Sequence, residues 1–500
     1  MTTQTMPTAP IDQEPDPLRW WALGVIAFAQ LMVVLDATVV NIALPSAQRD
    51  LHISTLNRQW VITAYTLAFG GLLLLGGRIA DFVGRKRIFI IGLIGFALAS
   101  ALGGLAQNQE MLFAARALQG SFGALMAPAS LSLLTVTFTE TRERAKAFGV
   151  YGAIAGGGAA IGLILGGVLT QYATWRWCLL INTPIGVVAA SGAIRFIKES
   201  KAHGDTRYDL PGALSATIGL VALVYGFTMA DQDGWSSPTT IGYLVAAMAL
   251  LVVFVLIELR TKHPLLPMRI LEDRNRGGSF LGSFMAGVGL FGMFLFLTYY
   301  LQGTLGYSAL KSGIAYLPFS AGIIFAAGMA SKLLPRYGPR PLMGSGFFAC
   351  SVGLAWLITI GVHSSYWAHV LPAELIMSIG LGFAFVSLSS TALIGVADHD
   401  AGVASAMVNT TQQVGGSLGT ALLNTFAASA TASYLVDHVG HHRPSKAIAQ
   451  VALVSGYHRV FSISSVMLLG ASIACFALVE PIKRRRSRAT GQILEQALAN

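Results

Sequence analysis

The sequence predicts an all-α integral membrane protein with about fourteen transmembrane helices. Hydrophobic residues make up 54% of the 500 residues and charged residues only 11%, whereas soluble domains carry about 25% charged residues. The mean hydropathy is +0.63. The apolar residues also form successive windows of about 20 residues, the length at which a helix crosses the hydrocarbon core of a bilayer. Such a chain cannot cover a water-facing surface with polar groups, so the lipid bilayer is its expected partner.

The apolar windows divide the chain into spans joined by short polar loops. The sequence begins with a Pro- and acid-rich stretch that predicts a disordered tail over residues 1–18, and it ends with the basic tail 483–500. Between the tails, the predicted spans lie near 20–43, 59–77, 88–106, 111–136, 147–170, 177–197, 209–230, 240–259, 277–302, 312–334, 341–362, 368–396, 403–434 and 459–480.

The positive charges predict the orientation of these spans. Of the 33 Lys and Arg residues, only seven fall in the loops after odd-numbered spans, and Arg116 lies within a span. The remaining 25 fall in the tails, in the loops after even-numbered spans and at the adjoining helix ends. Since Lys and Arg accumulate on the cytoplasmic side, both termini are predicted to be cytoplasmic. The same pattern gives the net charge of +10 a topological reason, and no nucleic-acid partner is expected.

Six stretches of the sequence carry a family resemblance, and they occur in a fixed order. They are LDATVVNIALP (residues 35–45), GRIADFVGRK (77–86), RALQGSFG (116–123), WRWCLLINTPIG (175–186), LQGTLGYSALKSGIAYLP (301–318) and AGVASAMVNTTQQVGGSLGTA (401–421). Together they resemble motifs of the major facilitator superfamily, in its fourteen-helix drug:proton antiporter branch of the EmrB/QacA type.

This resemblance implies the major facilitator fold, with two six-helix bundles and two extra helices between them. The implied division is an N-terminal bundle over 19–198, linker helices with a cytoplasmic loop over 199–276, and a C-terminal bundle over 277–482. It also implies proton-coupled efflux of hydrophobic or cationic compounds across the inner (cytoplasmic) membrane by alternating access. The protein is then expected to be a monomer and not an enzyme, with no cofactor besides the proton gradient.

Three ionisable residues lie inside predicted spans, where charged groups are costly and usually functional. Asp36 and Arg116 lie at similar depths in the first half of the chain, so they can pair. If they approach and separate as the protein changes shape, Asp36 can bind and release a proton; the alternative is a static ion pair that fixes helix packing. Glu374 is the third: it can take a second proton, bind a cationic substrate, or sit at the headgroup edge.

The loop between the second and third spans is a candidate cytoplasmic gate. Its motif residues are Gly77, Asp81, Gly84, Arg85 and Lys86. Glycines permit a tight turn and close helix approach, and an acid can accept hydrogen bonds from a helix N-terminus or an arginine. The resemblance implies that this loop latches the two halves together. Residues 331–340 form a counterpart in the second half that keeps a glycine and basic residues but lacks the acid.

A run of glycines in the fifth span resembles the antiporter motif G-x-x-x-G-P-x-x-G-G. Three of them recur every four residues and share one helix face, which permits close packing; the residues are Gly158, Gly162, Gly166 and Gly167. Leu163 stands where that motif has proline. An importer or uniporter on the same fold is therefore the nearest alternative function, and a membrane sensor without transport is a second.

The substrate cavity is predicted only weakly, from polar and aromatic residues within the spans. The candidates are Asn41, Tyr65, Gln119, Tyr299, Gln302, Asn409 and Gln413, and each can equally make a hydrogen bond between helices. Histidines also cluster near the last outer loop, at His438, His441, His442 and His458. Without a supporting acid or cysteine cluster, they predict a solvated loop and no metal site.

Overall fold

The first six helices follow one another with short connections. The computed structural model describes residues 17–201, 209–261, 264–266, 268–394, 396, 401–439 and 444–481. In it these helices are α1 Arg19–Asp50, α2 Trp60–Val83, α3 Arg85–Gly104, α4 Gln109–Thr137, α5 Thr141–Tyr172 and α6 Trp177–Phe196.

Eight further long helices complete the described chain. They are α7 Leu210–Gln232, α8 Pro238–Arg260, α9 Arg274–Thr304, α10 Ala309–Tyr337, α11 Pro339–Leu357, α12 Tyr366–Leu393, α13 Ala401–Val439 and α14 Lys446–Leu478. A short helix, Met268–Glu272, precedes α9.

Helices therefore stand at all fourteen predicted positions, and the all-α prediction is confirmed. In the part of the chain that the structure describes, eleven of them are long and apolar enough to cross a membrane. The other three, α5, α11 and α13, do not meet both conditions, and α5 has only a shorter apolar stretch, Gly157–Tyr172. α13 carries the polar run Asn409–Gln413, whose residues are exposed or partly buried.

Several helices begin at residues whose side chains can satisfy free backbone N–H groups. Asn108 accepts from the N–H of Met111 at the start of α4, over 2.8 Å. Asp209 does the same for Gly212 in α7, over 2.8 Å. Asp273 accepts from the N–H groups at the start of α9. These polar residues set helix boundaries that hydropathy places only within a few residues.

One boundary differs from the sequence expectation by a wide margin. The last helix was expected near 459–480, but α14 begins at Lys446, where Ser445 Oγ accepts from the N–H of Ile448. His458 and Arg459 therefore lie within a helix and not in a loop. Hydropathy missed the first turns because these polar residues interrupt the apolar run, although the backbone between them remains helical.

The two halves of the chain repeat one packing pattern. In the first, α4 packs on α2 and α3, α1 packs on α5, and α6 packs on α3 and α1. In the second, α12 packs on α10 and α11, α9 packs on α13, and α14 packs on α11 and α9. The pairings correspond helix by helix, so each half is a six-helix bundle with the same internal arrangement.

The bundles meet along two helix pairs. α2 of the first bundle packs against α13 of the second, and α5 packs against α10. α7 lies on the outside of the α2–α13 contact, while α8 packs mainly on α7 and is buried over only 11% of its apolar window. α7 and α8 therefore flank the two-bundle core.

Candidate functional site

An ion pair between α1 and α4 lies at the centre of the first bundle. Arg116 Nη1 is 2.6 Å from Asp36 Oδ2, and the two side chains are 2% and 0% exposed. Arg116 Nε also donates to the Val61 carbonyl oxygen of α2, over 3.0 Å. A buried carboxylate is stable when a cation and further donors surround it, and this arrangement supplies both.

Two amides complete the coordination of the Asp36 carboxylate. Gln119 Nε2 donates to Asp36 Oδ1 over 2.9 Å, and Asn182 Nδ2 donates to the same oxygen over 3.0 Å. Both amide nitrogens also lie near the Ser100 hydroxyl, at 2.7 and 3.0 Å. Four helices of the first bundle thus contribute side chains to one closed polar cluster around Asp36.

An aromatic ring covers the cation of this cluster. The Arg116 guanidinium carbon lies 4.4 Å from the centre of the Tyr65 ring, a distance at which the ring face attracts a cation. Tyr65 stacks on Phe69 in turn. The ring takes the place of water over the guanidinium, so the charge of Arg116 depends on its protein partners and above all on Asp36.

The sequence placed some of these residues differently. Gln119 and Tyr65 were expected to line a substrate cavity, but they are 0% and 2% exposed and contact the Asp36–Arg116 pair. Ser100 and Asn182 were not singled out. Asn182 stands within the stretch WRWCLLINTPIG, just after a break in α6 at Ile181, and a polar amide beside such a break was the available signal. Ser100 gave none, because serine is common in membrane helices.

The glycine face of α5 is a packing surface. A Cβ on Gly158 would lie 3.1 Å from the Val34 side chain of α1, and one on Gly162 would lie 1.9 Å from Thr38 Oγ1. A Cβ on Gly166 would lie 3.0 Å from the Val39 backbone. Glycine at every fourth position therefore brings α5 into backbone-level contact with α1, the helix that carries Asp36.

The neighbouring face of α5 contacts the second bundle. A Cβ on Gly167 would lie 2.7 Å from Leu310 Cα of α10, and one on Gly313 would lie 2.3 Å from the Leu163 carbonyl oxygen. Leu163, at the position where the resembling motif has proline, is 1% exposed. It lies in the contact between the bundles, where α5 and α10 approach most closely.

The predicted cytoplasmic gate is anchored within the first bundle. Asp81 accepts from Arg85 Nε over 2.9 Å, one turn further along the chain. The Glu199 carboxylate accepts from the backbone N–H groups of Lys86 and Arg87, and so caps the start of α3. Lys86 Nζ donates to the Ile194 carbonyl oxygen of α6 over 2.8 Å. The contacts of Asp81 and Lys86 thus run to α3 and α6, and among the described residues these two side chains form no bond to the other half.

Two glycines of the gate motif, Gly84 and Gly77, stand in different surroundings. Gly84 has φ +130°, a conformation that side chains rarely adopt, and a Cβ there would lie 2.7 Å from the Glu199 carboxylate. Gly77 lies against Pro128 of α4. At the matching junction of the second half, Gly338 between α10 and α11 has φ +81°, so both bundles turn the same corner on a glycine with positive φ.

A second ion pair joins the predicted cytoplasmic ends of α1 and α5. Arg19 Nη2 lies 2.8 Å from Glu143 Oε1. The hydrogen bond from this guanidinium holds the pKa of Glu143 below its ordinary value. This contact adds a polar clamp to the glycine packing between the same two helices.

On the predicted outer side, polar contacts cross between the bundles. Tyr299 Oη of α9 donates to Gln48 Oε1 of α1, and Gln302 Nε2 donates to the Ile42 carbonyl oxygen over 3.0 Å. Arg58, which precedes α2, donates through Nε to Asn424 of α13 and lies 4.0 Å from the Tyr299 ring centre. With the α5–α10 contact, these bonds join the bundles on that side.

The remaining cavity candidates do not form one group. Asn41 donates to the Ala37 carbonyl oxygen within α1. Asn409 is exposed, and Gln413 lies at the α2–α13 contact, where its Cβ is 3.0 Å from the Cβ position of Gly70. Tyr299 and Gln302 belong to the outer contacts. Five of the seven candidates therefore divide among the Asp36 cluster, the outer contacts and the bundle interface, while Asn41 bonds within its own helix and Asn409 is exposed.

Glu374 lies in the second bundle, apart from the Asp36 cluster. It is 1% exposed on α12, and Tyr366 Oη is 3.2 Å from its Oε2. Of the histidines, His438 contacts the Tyr434 carbonyl oxygen and His458 the Ile360 carbonyl oxygen, while His441 and His442 lie outside the described residues. Within the described residues, no group of three or more His, Cys, Asp or Glu is placed to hold a metal ion.

Comparisons with known proteins agree with this architecture. The sequence matches the Major Facilitator Superfamily over residues 26–420. It is 50% identical to the puromycin resistance protein pur8 of Streptomyces alboniger over 471 residues, which cover 94% of this chain and 93% of that protein. It is 36% identical to the cephamycin export protein CmcT of Amycolatopsis lactamdurans over 425 residues, or 84% and 87% of the two chains.

Solved structures show the same fold at low sequence identity. A bacterial homolog of the human lysosomal transporter Spinster superimposes with a TM-score of 0.67 and 16% identity, covering 93% of this chain and 97% of the other. The fold, the repeated bundles and the match over most of the sequence lead to one conclusion. The chain is a multi-pass membrane transporter and belongs to the Major Facilitator Superfamily.

Proposed function

We propose that this protein exports hydrophobic or cationic antibiotic-like compounds across the cytoplasmic membrane, driven by protons that enter through Asp36. The observation that carries the proposal is the buried Asp36–Arg116 pair, closed off by Gln119, Asn182 and Ser100. A carboxylate in this position is the only acid of the first bundle that combines full burial with a single cationic partner in the described residues.

The physical basis of coupling is the exchange of a cation for a proton on one carboxylate. With Arg116 at 2.6 Å, Asp36 is stable as an anion. When a proton neutralises Asp36, the attraction to Arg116 falls to that of an ordinary hydrogen bond, and the guanidinium is free to move with α4. Protonation therefore changes the relative stability of two helix arrangements, which is what coupling requires.

The conformation described here fits the state after proton release. The bundles are joined on the predicted outer side by the Tyr299–Gln48 and Gln302–Ile42 bonds and by the α5–α10 contact. Asp81 meanwhile binds Arg85 of its own bundle and, within the described part of the chain, forms no bond to the other bundle. An ionised Asp36 in a molecule closed on the outside is the state expected to accept substrate from the cytoplasm.

The proposed substrate class is based on the names of two relatives. The names of two relatives refer to puromycin resistance and cephamycin export. We infer that a secondary-metabolite antibiotic is the substrate, and puromycin, which carries an amine, is the first compound to test because its relative is 50% identical over nearly the whole chain.

The setting of the proposed transport follows from the charge pattern. The distribution of Lys and Arg supports a cytoplasmic position for both termini, and the inner membrane is the proposed location. The protein is proposed to act as a monomer with the proton gradient as its energy source, without cofactor or nucleic-acid partner and without catalytic chemistry. Its division at 19–198, 199–276 and 277–482 is proposed from the resemblance to the fourteen-helix branch.

Transport direction separates this proposal from its alternative. Leu163, in place of the motif proline, favours an importer or uniporter as the second candidate. Puromycin flux is measured in everted vesicles with an imposed acidic interior. Proton-coupled export predicts uptake that stops when a protonophore collapses the gradient. Uptake that ignores the gradient indicates a uniporter, gradient-driven loss from preloaded vesicles indicates an importer, and absence of flux for every compound tried indicates a sensor.

A further inference from the structure

The carboxyl group of Glu374 is buried in the second bundle without a cation. Glu374 is 1% exposed, and its Oε1 has no hydrogen-bond partner. Among the residues that the structure describes, no Lys, Arg or His nitrogen lies within 4.0 Å of the carboxylate, whereas Asp36 has Arg116 at 2.6 Å. A buried carboxylate without such a partner is strongly disfavoured, and the group takes up a proton instead.

The bonds of Tyr366 lead to the same protonation state independently. Tyr366 Oη lies 2.6 Å from the Ala315 carbonyl oxygen and 3.2 Å from Glu374 Oε2. A phenol carries one proton, and a carbonyl oxygen can only accept. The short contact with Ala315 therefore uses the Tyr366 proton. With that proton directed at Ala315, a full hydrogen bond at the second contact takes its proton from the carboxyl group of Glu374.

This chain of bonds reaches the part of α10 that joins the two bundles. Ala315 ends the first segment of α10, Ala309–Ala315, just before the helix breaks at Tyr316. The same segment packs against α5, where a Cβ on Gly313 would lie 2.3 Å from the Leu163 carbonyl oxygen. Glu374 of α12 is thus linked through one hydroxyl to the helix segment that closes the predicted outer side.

Loss of the Glu374 proton would reverse the order of these bonds. An ionised carboxylate is a stronger acceptor than a carbonyl, so the Tyr366 hydroxyl would turn from Ala315 to Glu374. Ala315 would lose the bond that ties its segment to α12. The protonated form of Glu374 therefore supports the closed arrangement, and the ionised form weakens it.

Other titratable side chains lie near Glu374 and Tyr366 in the described part of the second bundle. From α10, Glu374 is faced by Tyr316, whose hydroxyl contacts Thr298, and the Cys350 thiol of α11 donates to the Met377 carbonyl oxygen of the same helix as Glu374. The Tyr307 ring is tilted against the Tyr366 ring, and Lys311 Nζ lies 3.7 Å from the centre of the Tyr307 ring. A carboxyl group is a stronger acid than a phenol, a thiol or an ammonium group, so the inference concerns the proton of Glu374.

We infer that Glu374 is a second proton-binding site, occupied in the conformation described here while Asp36 is ionised, and that its proton holds the outer segment of α10 in place. The inference rests on the proposed function, because the proposed function assigns which end of α10 faces the outside. It assigns opposite protonation states to the two buried acids in one conformation. The two bundles would then exchange protons at different steps of the cycle.

Infrared spectroscopy tests the protonation state directly. Purified wild-type protein in liposomes is compared with Glu374→Gln at neutral pH. The inference predicts that the variant loses a carbonyl band of a protonated carboxylic acid, while Asp36→Asn loses a carboxylate band. Loss of a carboxylate band in Glu374→Gln would overturn it.

Spin-label distances test the coupling to closure. Labels are placed at Tyr172→Cys on α5 and Ile314→Cys on α10, two exposed positions, after replacement of the buried Cys178, Cys350 and Cys475. The wild type should shift to longer distances as pH rises. Glu374→Gln introduces a neutral side chain that can still donate a hydrogen bond, so the distance between the labels should stay short at every pH. In Tyr366→Phe the distance between the labels should be longer at every pH. A Glu374→Gln response equal to wild type would contradict the inference.

The same labels separate this inference from the proposed function. In Asp36→Asn the pH response of the label distance should persist, because Glu374 is unchanged. Its disappearance would assign the response to Asp36 and overturn the role given to Glu374. The proposed function is tested separately, by measuring gradient-driven efflux in Asp36→Asn. The role of Glu374 and the proposed function can therefore fail independently.

Discussion

Arg116 and Asp36 meet at 2.6 Å between α4 and α1, and neither side chain is more than 2% exposed. Every other polar group in the cluster bonds to one of them or to a group that does. Asp36 receives three donors from two other helices, so its charge determines how α1, α4 and α6 pack together. A single proton on that carboxylate would therefore weaken bonds that join α1, α4 and α6.

Removing only one member of the pair should be more damaging than removing both charges. Arg116→Gln leaves Asp36 buried without its cation, at a cost of about 3–5 kcal/mol, and should lower the thermal unfolding temperature strongly. The double variant Asp36→Asn with Arg116→Gln should recover most of that stability, yet remain unable to use a pH gradient. Thermal unfolding in detergent and efflux assays give the two readouts. Recovery of gradient-driven efflux in the double variant would argue against the coupling role.

The Asn182 amide should support the ionised form of Asp36. Asn182→Ala removes one of three donors to the carboxylate, and a hydrogen bond to a charged group contributes about 1.5–3 kcal/mol. We expect a lower unfolding temperature and weaker coupling of transport to the gradient. Ser191→Ala on the same helix removes an exposed hydroxyl that bonds only to the Val187 carbonyl oxygen, and serves as control. Equal effects of the two substitutions would show that Asn182 has no special role.

The glycine face of α5 should tolerate no side chain where it meets α1. Gly162→Val places atoms in the space of Thr38 Oγ1, which is 1.9 Å from the Cβ position, and overpacking typically costs about 1–3 kcal/mol. We expect a fall of at least about tenfold in transport, since the shifted helix carries Asp36. Gly157→Val is the matched control, because no atom lies within 4 Å of its Cβ position. Measured efflux rates at equal expression test the difference.

The α2–α3 junction should depend on both glycine and acid. Gly84→Ala combines a φ of +130° with a contact of 2.7 Å to Glu199, and the backbone strain alone costs about 1–2 kcal/mol. Asp81→Asn removes the ionic bond from Arg85 and should also slow transport. Gly234→Ala, at φ +88° with no atom within 4 Å, carries strain without the contact. If Gly84→Ala transports as well as Gly234→Ala, the geometry of this junction is not important for the cycle.

The sequence predicted the positions of the helices and of three buried ionisable residues well, for a simple physical reason. A charge inside an apolar run is visible without any knowledge of packing, and this applies to Asp36, Arg116 and Glu374. The rotation of each helix is not visible in that way. Gln119 was therefore expected in a substrate cavity, although it faces Asp36, and Ser100 gave no signal at all.

Helix ends were predictable only where apolar runs ended. His458 and Arg459 suggested a loop, but Ser445 caps a helix that passes through both residues. Among the residues with described positions, Asp81 pairs with Arg85 and not with the second bundle, and this outcome has another cause. A motif indicates which residues can form a latch, while the conformation decides whether the latch is formed, and here the bundles are joined on the opposite side.

The central claim is tested most directly by Asp36→Asn in proteoliposomes with puromycin and an imposed pH gradient. The variant replaces the proton-binding carboxylate by an amide of the same shape, so the protein should fold and bind substrate. The control is Glu110→Gln, an exposed acid near the start of α4. We predict that Asp36→Asn loses gradient-driven transport while Glu110→Gln keeps it. Gradient-driven transport at the wild-type rate by Asp36→Asn would contradict the account.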